Sequence, residues 1–162
     1  MIRVSAYRWY EKRWNNDLCY ARGNVNGESV LAHRFIMDAP DDVLVDHRNG
    51  NGLDCQKHNM RLCSHSQNSA NKRRTDSFCG YKGVRYLGGN RQKHYYPRIT
   101  VGSKTFYFGC TKQSIHAARI YNEAAKILFG EFACLNVVPP HSRNDVVARN
   151  KVIRILKEKG AI

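Results

Sequence analysis

An ordered series of strand, loop, strand and helix signals in the first half of the chain constrains the fold more than any other feature. Residues 43–45 are a short apolar strand candidate, and the polar, glycine-bearing run 48–52 enforces a loop after it. Residues 59–63 supply a return strand, and Ser64 and Gln67 then stand at the spacing of a capping box, which begins a helix. This order predicts an α+β fold in which a short hairpin presents a loop beside a helix.

The N-terminal segment predicts a β-hairpin that leads into this series. Residues 18–25 and 29–33 flank Asn26-Gly27, a dipeptide suited to a turn with positive φ. A short helical turn is expected at 34–37.

The second half of the chain predicts a three-stranded antiparallel sheet packed on one helix. The strand candidates are residues 81–86, 95–101 and 104–109. Apolar residues at helical spacing follow, with Thr111 expected as the cap and Gly130 as the stop.

Charge identifies the leading class of partner. The chain has 27 Lys and Arg against 13 Asp and Glu, a net charge of +14, which attracts a polyanion through the release of condensed counterions. Residues 77–122 contain no acid and are interleaved with tyrosines, a pattern that favours nucleic acid over a merely solvated surface. The basic residues of this stretch are Lys82, Arg85, Arg91, Lys93, Arg98, Lys104, Lys112 and Arg119.

The 162 residues are expected to form two small modules and a tail, joined at a linker over 75–80. The predicted bounds are 1–76 with a core motif at 43–74, then 77–138, then a basic tail at 139–162. A helix is predicted within the tail, and two placements stay open for it, on the protein body or on DNA.

Cysteine usage and hydropathy indicate the compartment. Six cysteines occur without any C-x-x-C pair, so neither a zinc knuckle nor a redox motif is readable. The N-terminus lacks the apolar run of a signal peptide, and no stretch approaches the roughly twenty apolar residues that span a bilayer. We therefore expect a soluble, cytoplasmic protein with reduced cysteines and no membrane partner. Without a heptad seam a monomer is expected, with a dimer left open.

Four residues around the first loop supply the groups that phosphodiester hydrolysis needs, namely a base and a cation site on a fixed scaffold. A neutral His47 is a competent base at cellular pH. The oxygens of Asp46 and Asn68 suit a hard divalent cation, Mg²⁺ first and Mn²⁺ as the alternative, that keeps most of its waters. Taken alone, Asp46-His47 is better interpreted as a plain hydrogen-bonded pair, and Asn59 and Asn68 have the alternative of being turn or cap residues.

Together these segments resemble the HNH, or ββα-metal (His-Me finger), nucleases of phage and homing endonucleases. The resemblance implies that His47 is the general base, that Asp46 and Asn68 hold one divalent metal, and that Asn59 steadies the loop orienting His47. The segment 32–37 also looks like the one that precedes the motif in phage members. The matching residues are Val45-Asp46-His47-Arg48-Asn49-Gly50-Asn51-Gly52-Leu53-Asp54, His58-Asn59-Met60-Arg61-Leu62-Cys63 and Ser66-Gln67-Asn68-Ser69-Ala70-Asn71-Lys72.

The second module resembles the plant APETALA/ethylene-response-factor DNA-binding domain, which also occurs fused to HNH nucleases. The resemblance covers about residues 80–136 and implies an outward sheet face in the DNA major groove. Tyr96 and Tyr107 stand where tryptophans are usual, and several sheet arginines are missing. The matching residues are Tyr81-Lys82-Gly83-Val84-Arg85, Tyr96-Pro97-Arg98-Ile99-Thr100-Val101, Phe106-Tyr107-Phe108-Gly109, Ala117-Ala118-Arg119-Ile120-Tyr121-Asn122-Glu123-Ala124-Ala125 and Leu135-Asn136.

Strand alternation assigns the faces of this sheet. Lys82 and Lys104 are expected on phosphates and the outward arginines on base edges, while Arg119 and Lys126 are expected to be solvated. The inward set is Val84, Ile99, Val101, Phe106 and Phe108, and the DNA-contact set is Lys82, Arg85, Arg98, Thr100, Lys104, Tyr107, Arg73 and Arg74.

The leading hypothesis is an HNH endonuclease of homing type that nicks double-stranded DNA at a preferred site, in a bacterial or phage-infected cell. The expected products carry a 5′ phosphate and a 3′ hydroxyl, and no small-molecule cofactor is expected. Two alternatives stay open: a DNA-binding regulator with an inert nuclease module, and a structure-selective or RNA-directed binder. Outside the motif, His33 is expected to be a satisfied structural histidine, and His58 and His65 solvent-facing residues or phosphate contacts.

Overall fold

The computed structural model describes residues 4–15, 18–73, 77–89 and 92–162. The chain divides into two compact units, Met1–Asn71 and Lys72–Ile162. The fold is mixed α+β, with antiparallel sheets and helices in both units. The assignment of the predicted modules and tail to separate domains stays a prediction.

The first unit opens with a three-stranded antiparallel sheet in the order β1 (Trp9–Asn15), β2 (Leu18–Val25) and β3 (Glu28–Leu31). The predicted hairpin is β2 and β3, and its turn has the expected positive φ at Asn26 (52°) and Gly27 (91°). The sheet has a third strand that was not predicted, because β1 pairs with the outer edge of β2. That strand was missed because its residues are mostly charged or aromatic and show no apolar alternation.

The predicted strand, loop, strand and helix series is present. After α1 (Ala32–Met37), β4 (Leu44–His47) pairs antiparallel with β5 (Met60–Cys63), and α2 (His65–Asn71) follows. The capping box is confirmed, since the Ser64 amide donates to Gln67 Oε1 at 2.8 Å and the Gln67 amide donates to Ser64 Oγ at 3.3 Å.

The second unit contains the antiparallel sheet β6 (Val84–Gly89), β7 (Gln92–Val101) and β8 (Lys104–Tyr107). Two long helices follow, α3 (Ser114–Phe129) and α4 (Ser142–Glu158). Thr111 was wrongly predicted as the cap of α3, because Gln113 occupies that position and Thr111 Oγ1 donates to its carbonyl instead. Short 3₁₀ turns lie at Val4–Ala6, Lys57–Asn59 and Gly130–Phe132.

The predicted faces of this sheet are confirmed. The inward residues pack on α3, with four of them buried and Val101 partly buried, whereas Arg85, Arg98, Thr100 and Tyr107 are exposed. Period-two alternation was sufficient here because one face of the sheet is covered and the other is open.

Helix α4 is part of the core of the second unit. Ala148, Val152 and Leu156 stand four residues apart on one face and are buried against α3. Arg119 joins the two helices: it is 5% exposed, and its Nη1 lies 2.6 Å from Asp145 Oδ1 while Nη2 donates to the Pro139 carbonyl. The expectation that Arg119 is solvated was therefore wrong. Lys126 is exposed and pairs with Glu123.

In the part of the chain that the structure describes, every helix is too short or too polar to span a bilayer.

Truncating Leu156 tests whether α4 stabilises the second unit. Leu156 is fully buried, so Leu156→Ala is expected to lower the free energy of unfolding by about 2–5 kcal/mol through lost burial and a residual cavity. Val147 lies on the same helix but is 60% exposed, so Val147→Ala is expected to change it by less than about 0.5 kcal/mol. Denaturant titration followed by far-ultraviolet circular dichroism measures both. Equal losses of unfolding free energy in the two variants would show that the buried face of α4 does not stabilise the second unit.

Candidate active site

His47 ends β4 at the mouth of the loop that connects β4 to β5. Its side chain is 6% exposed, and its Nε2 lies 4.0 Å from Cys55 Sγ, at the far side of the loop. Burial lowers the pKa of His47 from its ordinary value, and the carboxylates of Asp46 and Asp54 oppose that shift. The imidazole is therefore neutral at cellular pH and able to accept a proton.

Asp46 is held by residues from both neighbouring elements. Arg61 stands opposite it in the β4–β5 register, and Arg61 Nε and Nη2 lie 2.8 and 2.7 Å from Asp46 Oδ2. From α2, Asn71 Nδ2 donates to Asp46 Oδ1 at 2.9 Å. Both members of the ion pair are buried, so the carboxylate has a counter-charge inside the protein. Its Oδ1 keeps acceptor capacity, since a carboxylate oxygen can accept two hydrogen bonds.

Asn59 ties the loop after His47 to β5. Its Oδ1 accepts from the Asn49 amide at 3.1 Å, and its Nδ2 donates to Asn49 Oδ1 at 3.1 Å and to the Asp54 carbonyl at 2.8 Å. Its backbone carbonyl accepts from the Arg48 amide at 2.7 Å. A single buried side chain thus bridges both ends of the loop. This restricts the conformation of the loop and therefore the position of His47, which immediately precedes it.

Asn68 and Asn71 lie three residues apart on α2 and so share one face of that helix. Asn71 Nδ2 reaches the His47 carbonyl at 2.9 Å as well as the Asp46 carboxylate. The Asn68 side chain makes no hydrogen bond to any other residue that the structure describes. Sequence analysis missed Asn71, although its position one turn after Asn68 was a usable signal.

Carboxylate and amide oxygens, the residue types found here, are ligands that a hard divalent cation accepts. Among the described residues, no three His, Cys, Asp or Glu side chains cluster around a common point. Asp46 Oδ1 has spare acceptor capacity, and Asn68 lies on the α2 face that also carries Asn71, so these two side chains are the candidate oxygen donors. Two protein oxygens suit a cation that keeps most of its water ligands.

His33, at the start of α1, forms a ring cluster with His47 and with Tyr20 of β2. Ring centroids lie 5.2 Å apart between His33 and His47, 5.0 Å between Tyr20 and His33, and 6.0 Å between Tyr20 and His47. The expectation of a satisfied histidine was wrong, because His33 Nδ1 is buried without a hydrogen-bond partner among the described residues. Burial and the neighbouring His47 lower the pKa of His33 to about 4. His58 and His65 are exposed.

The candidate DNA-contact residues of the second unit have different environments. The Lys82 amine donates to the Lys72 carbonyl at 2.7 Å. The Lys104 amine donates to the Lys159 carbonyl at 3.0 Å and lies over the Phe106 ring. Arg85, Arg98, Thr100 and Tyr107 form the open sheet face, and Arg73 is exposed, while Arg74 and Arg91 lie outside the described residues.

Comparison with known proteins gave one informative relative. A protein of Acanthamoeba polyphaga mimivirus, named as an uncharacterized HNH endonuclease, is 33% identical over 141 residues, which cover 83% of this chain and 70% of that protein. No protein-family model matches the chain. No solved structure matches it either.

The buried His33 predicts a pH-dependent stability of the first unit. An unfolded histidine titrates near 6.5 and His33 at about 4, so its stabilisation is complete above about pH 6.5 and is lost as the pH falls toward 4. We expect a loss of about 2 kcal/mol between pH 7 and pH 5 that His33→Gln abolishes.

Tryptophan fluorescence measures this unfolding, since both tryptophans, Trp9 and Trp14, lie in the first unit. His58→Gln is the control, because that histidine is exposed. An unchanged pH dependence in His33→Gln would mean that His33 titrates normally.

Proposed function

Because this chain belongs to the HNH endonuclease family, we propose that it is a metal-dependent DNA endonuclease with its active site at the end of β4. One observation carries the proposal: Asn71 of α2 hydrogen-bonds both the Asp46 carboxylate and the His47 carbonyl. This contact links strand, loop and helix, and it supports the proposal of a ββα-metal arrangement over residues 43–74 within a nuclease module at 1–76.

His47 is the general base. Its neutral imidazole takes a proton from a water molecule, the water oxygen bonds to phosphorus, and the bond from phosphorus to the 3′ oxygen breaks. The departing 3′ oxygen takes a proton from solvent water, so the products are a 5′ phosphate and a 3′ hydroxyl. Asn59 acts by holding the loop that orients His47, through its three side-chain hydrogen bonds.

Asp46 and Asn68 hold the cation, Mg²⁺ or alternatively Mn²⁺. When bound, the cation stabilises the charge that develops on the phosphate and the leaving oxygen. Arg61 and Asn71 orient the Asp46 carboxylate through their hydrogen bonds to it, as supporting residues around metal ligands commonly do.

The second module, residues 77–138, binds double-stranded DNA through the open face of β6, β7 and β8. Four exposed side chains there offer hydrogen-bond donors and one aromatic surface, on a sheet whose other face is buried. Residues 139–162 belong to this module in packing, since α4 contributes to its core. Arg73 and Arg74 add DNA contacts, and Lys82 and Lys104 add phosphate contacts.

The enzyme is of homing type and acts as a monomer that nicks one strand at a preferred site. One set of catalytic residues occurs in the chain, so a double-strand break needs two successive events or two copies. The protein works in the cytoplasm of a bacterial or phage-infected cell with its cysteines reduced; all six are free thiols in the structure.

Plasmid cleavage tests the catalytic assignment. With Mg²⁺, the unaltered protein is expected to convert supercoiled plasmid to open circles, and His47→Ala and Asn68→Ala are expected to lower the rate at least about 100-fold. His65→Ala, which changes an exposed residue of α2, is expected to cut normally. If the unaltered protein binds plasmid but never cuts it, the DNA-binding regulator is favoured. The buried Asp46–Arg61 pair would then have a purely structural role.

The sheet face has its own test. Arg98→Ala is expected to weaken binding to a preferred DNA site by about 1–3 kcal/mol if the guanidinium contacts a guanine edge. Arg149→Ala removes an equally exposed arginine from α4 and is expected to change affinity little. Gel-shift titration of both variants measures the difference, and equal affinities would remove Arg98 from the DNA interface.

A further inference from the structure

The pairing of β1 with β2 places a particular set of side chains on one face of the N-terminal sheet. Tyr10 pairs with Arg22, and Lys12 pairs with Tyr20. Side chains directly opposite each other in an antiparallel pair project to the same side of the sheet. The face that carries Tyr20 toward His33 and His47 therefore also carries Tyr10, Lys12 and Arg22.

Among the described residues of these strands, no acidic side chain lies on this face. The strand register places both acids, Glu11 and Glu28, on the other face. Glu11 pairs with Ala21, and Glu28 pairs with Val25, one residue out of phase with the Tyr20 positions. Arg13 also lies on that other side, where its Nη2 is 3.4 Å from Glu11 Oε1. Among the described strand residues, Lys12 and Arg22 thus have no acidic side chain beside them on the Tyr20 face, whereas Arg13 on the opposite face is paired with Glu11.

Exposed aromatic rings extend this face from the catalytic histidine outward. Trp14 is 56% exposed and Tyr10 is 55% exposed. The Trp14 and Tyr20 ring centroids lie 6.0 Å apart, and Tyr20 lies 6.0 Å from His47. Trp14 is consequently two ring contacts from the general base, and two exposed aromatic side chains flank Lys12.

We propose that this face, which we call the strand-binding face (Tyr10, Lys12, Trp14, Tyr20 and Arg22), holds the DNA strand that is being cut. Lys12 and Arg22 neutralise phosphates of that strand, and Trp14 packs against the nucleotide next to the cleaved bond. The proposal rests on the proposed endonuclease function. It assigns DNA contact to the nuclease module itself, independently of the β6–β8 sheet.

The physical argument is charge and shape complementarity near the chemistry. An acid-free basic surface attracts the phosphate backbone, and an exposed aromatic ring next to it can stack on a base or enter a groove. Arg22 Nε donates to Ser29 Oγ at 2.6 Å, which orders the guanidinium stem while other N–H groups remain to contact phosphate.

A matched pair of neighbouring residues tests the proposal. Lys12 and Arg13 are adjacent on β1, both are exposed, and each carries one positive charge, but they project to opposite faces. Binding of a linear DNA fragment to the full chain is measured as a function of salt, in a His47→Ala background so that nothing is cut. Lys12→Ala is expected to reduce the slope of log affinity against log salt by about 1, and Lys12→Ala with Arg22→Ala by about 2. Arg13→Ala is expected to leave the slope unchanged.

Trp14 provides an independent readout. In a Trp9→Phe background it is the sole tryptophan, and its emission is expected to be quenched when DNA is added. Lys12→Glu is expected to weaken that quenching at a given DNA concentration, and Arg13→Glu is not. Circular dichroism of each variant verifies the fold.

The outcomes separate this proposal from the proposed function. Equal salt slopes for Lys12→Ala and Arg13→Ala, or Trp14 emission that ignores bound DNA, overturn the strand-binding face even if the unaltered protein cuts plasmid. Reduced slopes and quenching in a protein that never cuts would support the face as a DNA-binding surface and overturn the endonuclease function alone.

Discussion

The buried contact between Asp46 and Arg61, to which Asn71 adds a further hydrogen bond, is the constraint on which the first unit depends. Desolvating a carboxylate and a guanidinium is costly, and removing one partner of such a pair costs about 3–5 kcal/mol because the other charge is left uncompensated. The three residues come from β4, β5 and α2. One polar cluster therefore fixes the relative positions of the three elements and, through them, the site of His47.

The two units are stabilised differently. The buried apolar side chains described in the first unit are few and mostly small, whereas a continuous cluster of aromatic and aliphatic side chains from β7, β8, α3 and α4 fills the second. The first unit compensates with hydrogen bonds: Asn59 holds the active-site loop, and Arg34 Nη1 and Nη2 donate to the Val43 and Pro40 carbonyls. Binding a cation at Asp46 would add stability to this unit by mass action.

Sequence patterns predicted the features that depend on interactions between residues close together in the chain. The capping box at Ser64 and Gln67, the Asn26-Gly27 turn and the inward and outward faces of β7 and β8 all depend on residues within a few positions of one another. Strand β1 escaped prediction because it is stabilised by pairing with β2 and not by an apolar alternation of its own. Arg119 was predicted to be solvated because its partner Asp145 is 26 residues away, beyond the range of any local pattern.

The sequence by itself determined the order of the elements and the residue types at the candidate site, including Asp46, His47 and Asn68. Only the tertiary structure decided which neighbours those residues have: Arg61 and Asn71 around the Asp46 carboxylate, and His33 and Tyr20 beside the His47 imidazole. The physical reason is that local propensity acts within a turn of helix or a hairpin. Burial, ion pairing and ring packing arise between segments that fold together from distant parts of the chain.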